Sequence, residues 1–241
     1  MENLRYKILL SRSSAERSEL LQRIGYLRVP LEVMKGKASN KHTRNYLLFI
    51  VSIFFAISLY AQLVFPEPYS IFRNTISDQG GIILNPSGYK LWNLGMIFLG
   101  VFTIPHFLYL YHILKSHSVV ISTLSTALGI ICSISMSFVG IFPLDFRAPH
   151  LVFAGICFIG IFIKANIDLI LFIIERKNLR KQNINTKVPN IILVGIYYAI
   201  FNVSFLMMLI TYFINDTIVP FWEWVYFIAI IIWMLGIYRV K

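Results

Sequence analysis

The most regular feature of this sequence is a succession of apolar stretches, each about 20 residues long, separated by polar connections. Such a stretch can cross the roughly 30 Å hydrocarbon core of a membrane, because a helix rises about 1.5 Å per residue. Helices of a water-soluble protein would carry polar outer faces, and these stretches have almost none. The pattern therefore predicts an all-α, polytopic membrane protein, a bundle of six transmembrane helices. The predicted spans are 46–65, 92–114, 120–142, 150–174, 190–213 and 221–238.

Proline positions and composition support these spans. A proline lacks the backbone N–H and most easily starts or stops a helix. Composition points the same way, since 57% of the 241 residues are hydrophobic and only 14% are charged, whereas soluble domains are about 25% charged. The prolines at or just outside the span ends are Pro66, Pro143, Pro149, Pro189 and Pro220.

The first 45 residues form a separate, basic region, and residues 46–241 form the predicted six-helix transmembrane domain. Two structures are open to residues 1–45. Ser13 and Glu16 have the spacing of a capping box, and apolar residues follow at helical intervals, which fits an amphipathic helix on the membrane surface. The alternative is a disordered basic tail.

The formal net charge of +11 would fit a nucleic-acid-binding protein, but the basic residues lie beside the apolar spans. In the six-span arrangement, 18 of the 22 Lys and Arg residues fall on one side of the membrane and only Arg73, Lys90 and Arg147 on the other. Because cytoplasmic loops carry the excess of positive charge, we expect both termini in the cytoplasm. The expected partners are membrane lipids and not nucleic acid, at the cell membrane.

Three polar residues of the predicted outer segments could converge at one membrane face: Asp78, Asp145 and His150. His150 begins the fourth span directly after Pro149, and a helix N-terminus favours the neutral imidazole. A neutral histidine with two carboxylates could hold a divalent metal or activate water as a catalytic site. No other cofactor is evident from the sequence.

Two further interpretations of this face stay open. Arg73, Arg147 and His150, at the start of a helix, could bind the phosphate of a lipid headgroup. Alternatively the group is structural: Asp78, Asp145 and His150 cap helix ends and pair with the two arginines to hold short loops.

A second polar group lies inside the membrane. Lys164 and Asp168 are four residues apart and therefore share a helix face. An unpaired charge at this depth costs roughly 2.5–3.5 kcal/mol, so we expect the two to pair. The pair either takes part in proton or solute transport or locks the fourth helix against a neighbour. We expect His106 to be a core histidine beside a proline kink, and Asn93, Asn202 and Ser204 to form hydrogen bonds between helices.

Six glycines within the spans indicate close helix approach: Gly95, Gly100, Gly129, Gly140, Gly155 and Gly160.

Two segments resemble a known family. Residues 74–80 (Asn-Thr-Ile-Ser-Asp-Gln-Gly), 85–86 (Asn-Pro) and 91–96 (Leu-Trp-Asn-Leu-Gly-Met) resemble the first signature of a prokaryotic six-span family, domain of unknown function 998. Residues 139–145 (Val-Gly-Ile-Phe-Pro-Leu-Asp), with His150, resemble its second signature. The eukaryotic FRAG/DRAM/Sfk group, which contains autophagy modulators and GPI-lipid-remodelling factors, has a similar Ile-Ser-Asp-x-Gly loop and a histidine at the start of its fourth span.

The resemblance implies a compact six-helix bundle with Asp78, Asp145 and His150 near the extracytoplasmic face, but it implies no particular reaction. The link of the eukaryotic group to lipids favours lipid recognition. Our leading hypothesis is therefore a protein that recognises or organises lipid through this face. The alternatives are a membrane-embedded lipid hydrolase or transferase using the same three residues, and a small transporter using Lys164 and Asp168.

Overall fold

The computed structural model describes residues 29–181, 191–214 and 216–236. Its six long helices are α1 (Asn40–Leu63), α2 (Tyr89–Leu114), α3 (Val119–Ile141), α4 (Arg147–Lys181), α5 (Ile191–Ile214) and α6 (Val219–Gly236), with two short 3-10 helices at Ser77–Gly80 and Asp216–Ile218. Each of the six long helices is long and apolar enough to cross a membrane. The predicted all-α, six-span architecture is confirmed, and these described parts contain no strand.

Helix α1 begins at Asn40, earlier than the predicted span that starts at residue 46. The side chain of Ser39 caps it by accepting a hydrogen bond from the backbone N–H of His42, at 3.2 Å. The polar first turns thus extend the helix beyond its apolar part. Val33, which lies within the predicted tail, is fully buried against the bundle. Residues 1–28, including the predicted capping box, lie outside the described residues.

Helix packing leaves a gap in the described part of the bundle. Helix α2 packs against α1 and α3, α3 packs against α4, and α5 packs against α6. Helices α4 and α5 are consecutive, yet in their described residues the two backbones hardly approach each other. The connection between α1 and α2, the connection between α3 and α4, and the start of α6 lie together at one end of the bundle, which we call the cavity end.

Glycines bring α2 and α3 into close contact, as the sequence predicts. A Cβ atom added to Gly100 would lie 2.5 Å from the carbonyl oxygen of Ser133, and one added to Gly140 would lie 2.4 Å from that of Asn93. Gly155 in α4 is an exception, because an added Cβ would meet nothing within 4 Å. The prediction that Gly155 marks a close helix contact is wrong. This glycine lies instead at the gap between α4 and α5.

Candidate functional site

A cavity of about 840 Å³ lies at the cavity end, bounded by the α1–α2 connection and by side chains of α2 to α6. Its lining has two zones. The polar zone contains Thr75, Ser77, Asp78, Asp145, Arg147, His150 and Glu223. The apolar zone includes Met96, Met136, Val139, Phe158, Phe205 and Phe227. The volume is within the range of about 300–1,000 Å³ that is usual for ligand sites.

Asp78 is held in a tight turn at the start of the 3-10 helix Ser77–Gly80. Its carboxylate accepts the backbone N–H of Thr75 at 2.9 Å and the hydroxyl of the same Thr75 at 2.7 Å. A side-chain oxygen that accepts a nearby backbone N–H is typical of such turns. The turn fixes the direction of the carboxylate at the edge of the cavity.

Two buried amide side chains attach this connection to α1. Gln79 accepts a hydrogen bond from the hydroxyl of Ser58 at 2.8 Å. Asn85 donates from its Nδ2 to the carbonyl oxygens of Ala61 and Gln79, both at 3.0 Å. Gln79 and Asn85 are fully buried, so these bonds satisfy polar groups that would otherwise be costly to bury. The segment that carries Asp78 is therefore rigidly attached to the bundle.

Helix α6 holds the same connection from the opposite side. The carboxylate of Glu223 accepts hydrogen bonds from the backbone N–H groups of Ile76 and Ser77. The next residue, Trp224, donates from its indole Nε1 to the hydroxyl of Tyr69 at 3.1 Å. Burial raises the pKa of Tyr69, which keeps its hydroxyl protonated. Glu223 thereby joins the polar zone of the cavity.

Asp145 connects the two signature segments directly. Its carboxylate accepts the backbone N–H of Ile82 at 2.6 Å and that of Ile83 at 3.2 Å. Ile82 and Ile83 lie in the α1–α2 connection, whereas Asp145 lies just before α4. The sequence prediction that Asp78, Asp145 and His150 converge is met in this respect, since all three line one cavity.

His150 is 2% exposed and lies in the first turn of α4. Its Nδ1 lies 2.8 Å from the carbonyl oxygen of Phe142. A carbonyl can only accept, so Nδ1 carries the proton and Nε2 is left with a lone pair. No residue that the structure describes forms a hydrogen bond with Nε2. An acceptor nitrogen with no partner among the described residues, carried by a nearly buried side chain, therefore lines the cavity.

The two predicted arginines have different positions. Arg147, the first residue of α4, is exposed and lines the cavity. Arg73 is exposed and lies outside the lining. Within the described residues neither arginine forms an ion pair with Asp78 or Asp145. The aspartates are held by backbone N–H groups and not by the ion pairs of the structural interpretation. A role for Arg73 in lipid binding stays a prediction.

A metal site at these residues gains no support from the geometry. In the described part of the chain, no three His, Cys, Asp or Glu side chains are grouped so that they could hold a metal ion. Asp78 and Asp145 direct carboxylate oxygens toward backbone N–H groups. The proposed divalent metal therefore stays a prediction from the sequence.

Lys164 and Asp168 form the predicted pair in the middle of α4, with Nζ 2.6 Å from Oδ2. The hydroxyl of Ser125 in α3 lies 3.2 Å from Nζ and donates to Oδ1 of Asp168 at 2.5 Å. The Lys164 ammonium also lies 4.9 Å from the ring centroid of Phe107 and 5.4 Å from that of Trp233. Both charged side chains are at most 1% exposed, and neither lines the cavity.

The other intramembrane polar residues differ in where their hydrogen-bond partners lie. Asn202 forms the predicted bond between helices, because its Oδ1 accepts from Asn166 at 3.1 Å. The prediction is wrong for Ser204, which donates to the carbonyl oxygen of Phe201 in its own helix. For Asn93 the bond joins α2 to the short 3-10 helix of the α1–α2 connection, because its Nδ2 donates to the Gly80 carbonyl. The prediction of a core histidine holds for His106, which is fully buried one residue after Pro105 within α2.

The two signature segments lie within the part of the chain that matches a known family. A family described as protein of unknown function (DUF998) matches residues 49–239. The chain belongs to the DUF998 family. No curated protein and no solved structure matches it. Similarity of this DUF998 protein to the FRAG/DRAM/Sfk group stays a prediction.

Sequence reasoning did not identify Glu223 as a site residue of the DUF998 protein. The available signal was that Glu223 is the only charged residue in α6, and an ionisable residue in a membrane span is rare and usually has a specific role. Gln79 and Asn85 were also unassigned, although both lie within or beside the first signature. Their roles depend on partners in α1, which no sequence pattern indicates.

We predict that Asp168→Asn lowers the stability of the DUF998 protein by about 3 kcal/mol, because Lys164 would be left as a buried charge without a charged partner. The double variant Lys164→Met/Asp168→Leu should lose clearly less, since it removes both charges. Thermal unfolding in a mild detergent measures both. Equal melting temperatures for Asp168→Asn and the unchanged protein would show that the pair contributes nothing to stability.

Proposed function

We propose that this DUF998 protein binds a membrane lipid in the cavity, with the headgroup in the polar zone and an acyl chain along the apolar zone. The observation that carries this proposal is the division of a single cavity into two chemically different zones. A molecule with a polar head and an apolar tail satisfies both zones, whereas a uniformly polar solute would leave the phenylalanine and methionine side chains without apolar contact.

The gap between α4 and α5 would give the lipid access from the bilayer. Gly155 and Ile159 of α4 line the cavity opposite Leu209 and Tyr212 of α5. Ile159 is 49% exposed and Tyr212 is 57% exposed, as expected for side chains that face the hydrocarbon. An acyl chain could therefore leave the cavity sideways without crossing the polar zone.

The gap closes farther from the cavity end. The rings of Phe162 and Phe205 stack with their centroids 4.1 Å apart, and Asn166 bonds Asn202 one turn deeper. Phe162 lies about 18 Å along α4 from His150, at 1.5 Å per residue. The accessible depth therefore corresponds to about half of the membrane, which suits a lipid of one leaflet.

We further propose that the cavity end faces the extracytoplasmic side of the cell membrane and that both termini are cytoplasmic. Support comes from the unequal distribution of Lys and Arg between the two ends of the bundle.

Two matched cysteine variants test this orientation. Ser87 in the α1–α2 connection and Ser116 between α2 and α3 are both exposed, while the native Cys132 and Cys157 are buried. We expect a membrane-impermeant maleimide to label Ser87→Cys in intact cells and Ser116→Cys only after lysis, with the unmodified chain as background. The reverse labelling pattern would invert the proposed orientation.

Bound lipid can be measured by native mass spectrometry of the protein extracted in a mild detergent. We expect one phospholipid to remain bound and Gly155→Leu to reduce its occupancy about tenfold, because the added side chain competes for space in the cavity. The control is Gly195→Leu in α5, since Gly195 is equally unobstructed but does not line the cavity. Equal occupancy in the two variants, or no lipid in the unchanged protein, would refute lipid binding in the cavity.

A lipid hydrolase or transferase is the second candidate, because the free Nε2 of His150 could accept a proton from an attacking water or hydroxyl. We predict that His150→Gln abolishes product formation from vesicles of phosphatidylethanolamine and phosphatidylglycerol, because glutamine has no basic nitrogen to accept the proton. Mass spectrometry of the lipids after incubation measures this. If the unchanged protein forms no product, the enzymatic candidate fails while lipid binding stands.

The third candidate, transport through Lys164 and Asp168, has no comparable support. Both side chains are engaged by Ser125 and by each other, and neither lines the cavity.

A further inference from the structure

The polar zone of the cavity contains more hydrogen-bond acceptors than positively charged donors. It contains the carboxylates of Asp78 and Asp145 and the carboxyl group of Glu223, but a single guanidinium, from Arg147. An anionic headgroup would therefore meet more negative than positive charge. With Arg73 outside the lining, the two-arginine phosphate site that the sequence suggests is not assembled there. The charge balance instead favours a headgroup that brings a positive charge of its own.

The carboxyl groups of Asp78 and Glu223 lie at the same short turn, the first within it and the second on α6. Asp78 belongs to the 3-10 helix Ser77–Gly80, and Glu223 accepts the N–H groups of Ile76 and Ser77 at the start of that helix. A negative charge on Glu223 would be opposed by repulsion from the nearby carboxylate of Asp78. A cation bound at this point would relieve the repulsion.

The imidazole of His150 provides independent evidence for a hydrogen-bond donor. Its side chain is nearly fully buried, its Nδ1–H is directed to Phe142, and its Nε2 lone pair lines the cavity without a partner among the described residues. Such an acceptor can take a hydrogen bond from a ligand in the cavity. A ligand N–H could provide that bond, whereas a quaternary ammonium has no N–H to offer.

Arg147 completes the arrangement. As the first residue of α4 it places a guanidinium at the positive end of the helix dipole. A guanidinium is well suited to the oxygens of a phosphate. The polar zone therefore contains acceptors for an ammonium group and a donor for a phosphate.

We infer that the cavity selects a phospholipid whose headgroup carries a primary ammonium, with the ammonium near Asp78, Glu223 and His150 and the phosphate near Arg147. This inference rests on the proposed function and adds the chemical class of the headgroup to it.

The test is a competition among lipids with identical acyl chains. The full-length protein is exchanged in detergent into equal amounts of phosphatidylethanolamine, phosphatidylcholine and phosphatidylglycerol, and bound lipid is counted by native mass spectrometry. We expect phosphatidylethanolamine to exceed each of the others about tenfold, as for the loss of one charge-assisted hydrogen bond. Equal binding of the three lipids would overturn this inference while leaving lipid binding intact. Binding of none would overturn the proposed function itself.

A matched pair of variants assigns the preference to the cavity. Glu223→Gln keeps an oxygen that can accept the N–H groups of the turn but cannot become charged when an ammonium binds, and it should reduce the preference for phosphatidylethanolamine at least threefold. Glu67→Gln is the control, because Glu67 is exposed and does not line the cavity. An equal preference in both variants would contradict the assignment to Glu223. If Glu223→Gln does not fold, the competition on the unchanged protein still decides the headgroup class.

Displacement by soluble phosphoethanolamine tests whether the bound headgroup belongs to a lipid or to a soluble molecule. Added at millimolar concentration, it should displace little phosphatidylethanolamine, because it lacks the chain that occupies the apolar zone. Displacement as effective as that by free phosphatidylethanolamine would show that the site takes a soluble amine phosphate, and the lipid part of the inference would fail.

Discussion

Hydrocarbon offers no hydrogen-bond partners, so every polar group that this protein buries must find its partner within the chain or in a ligand. This constraint shapes the cavity end, where the α1–α2 connection is held from three sides. Gln79 and Asn85 attach it to α1, Asp145 attaches it to the segment before α4, and Glu223 attaches it to α6. Asp145 and Glu223 accept backbone N–H groups of the connection, so the bonds that hold it in place also satisfy part of its polar backbone.

The two polar centres of the molecule differ in whether they retain hydrogen-bond donors and acceptors that a ligand could use. At the Lys164–Asp168 pair, Ser125 and two aromatic rings engage the charges completely. The cavity retains a guanidinium on Arg147 and an imidazole nitrogen on His150 that no described residue bonds. A centre whose groups are all engaged contributes to stability, whereas a centre with free donors and acceptors can bind a ligand. The ligand site is therefore expected at the membrane face and not at mid-membrane.

Much of this fold could be predicted. Bilayer thickness sets the length of each apolar span, and because successive loops lie on alternate sides of the membrane, the loop order sets which residues lie at the same membrane face. Asp78 and Asp145 are 67 positions apart and still line one cavity, as alternating loops require. The predictions that failed depended on geometry. Hydropathy does not register the capped polar turns at the start of α1, and a serine or asparagine in a span does not reveal whether its partner lies in its own helix, as for Ser204, or in another element, as for Asn93.

The sequence by itself determined the number of spans, the unequal distribution of charge and the meeting of the two signature segments, since these follow from chain length and loop alternation. Only the tertiary structure decided which polar groups remain free and where the bundle opens. Trp224 and Tyr69 are 155 positions apart, and nothing local to either indicates their contact. The gap between α4 and α5 likewise depends on how side chains of several helices fill the space between them, which is a property of the packed bundle and of no single segment.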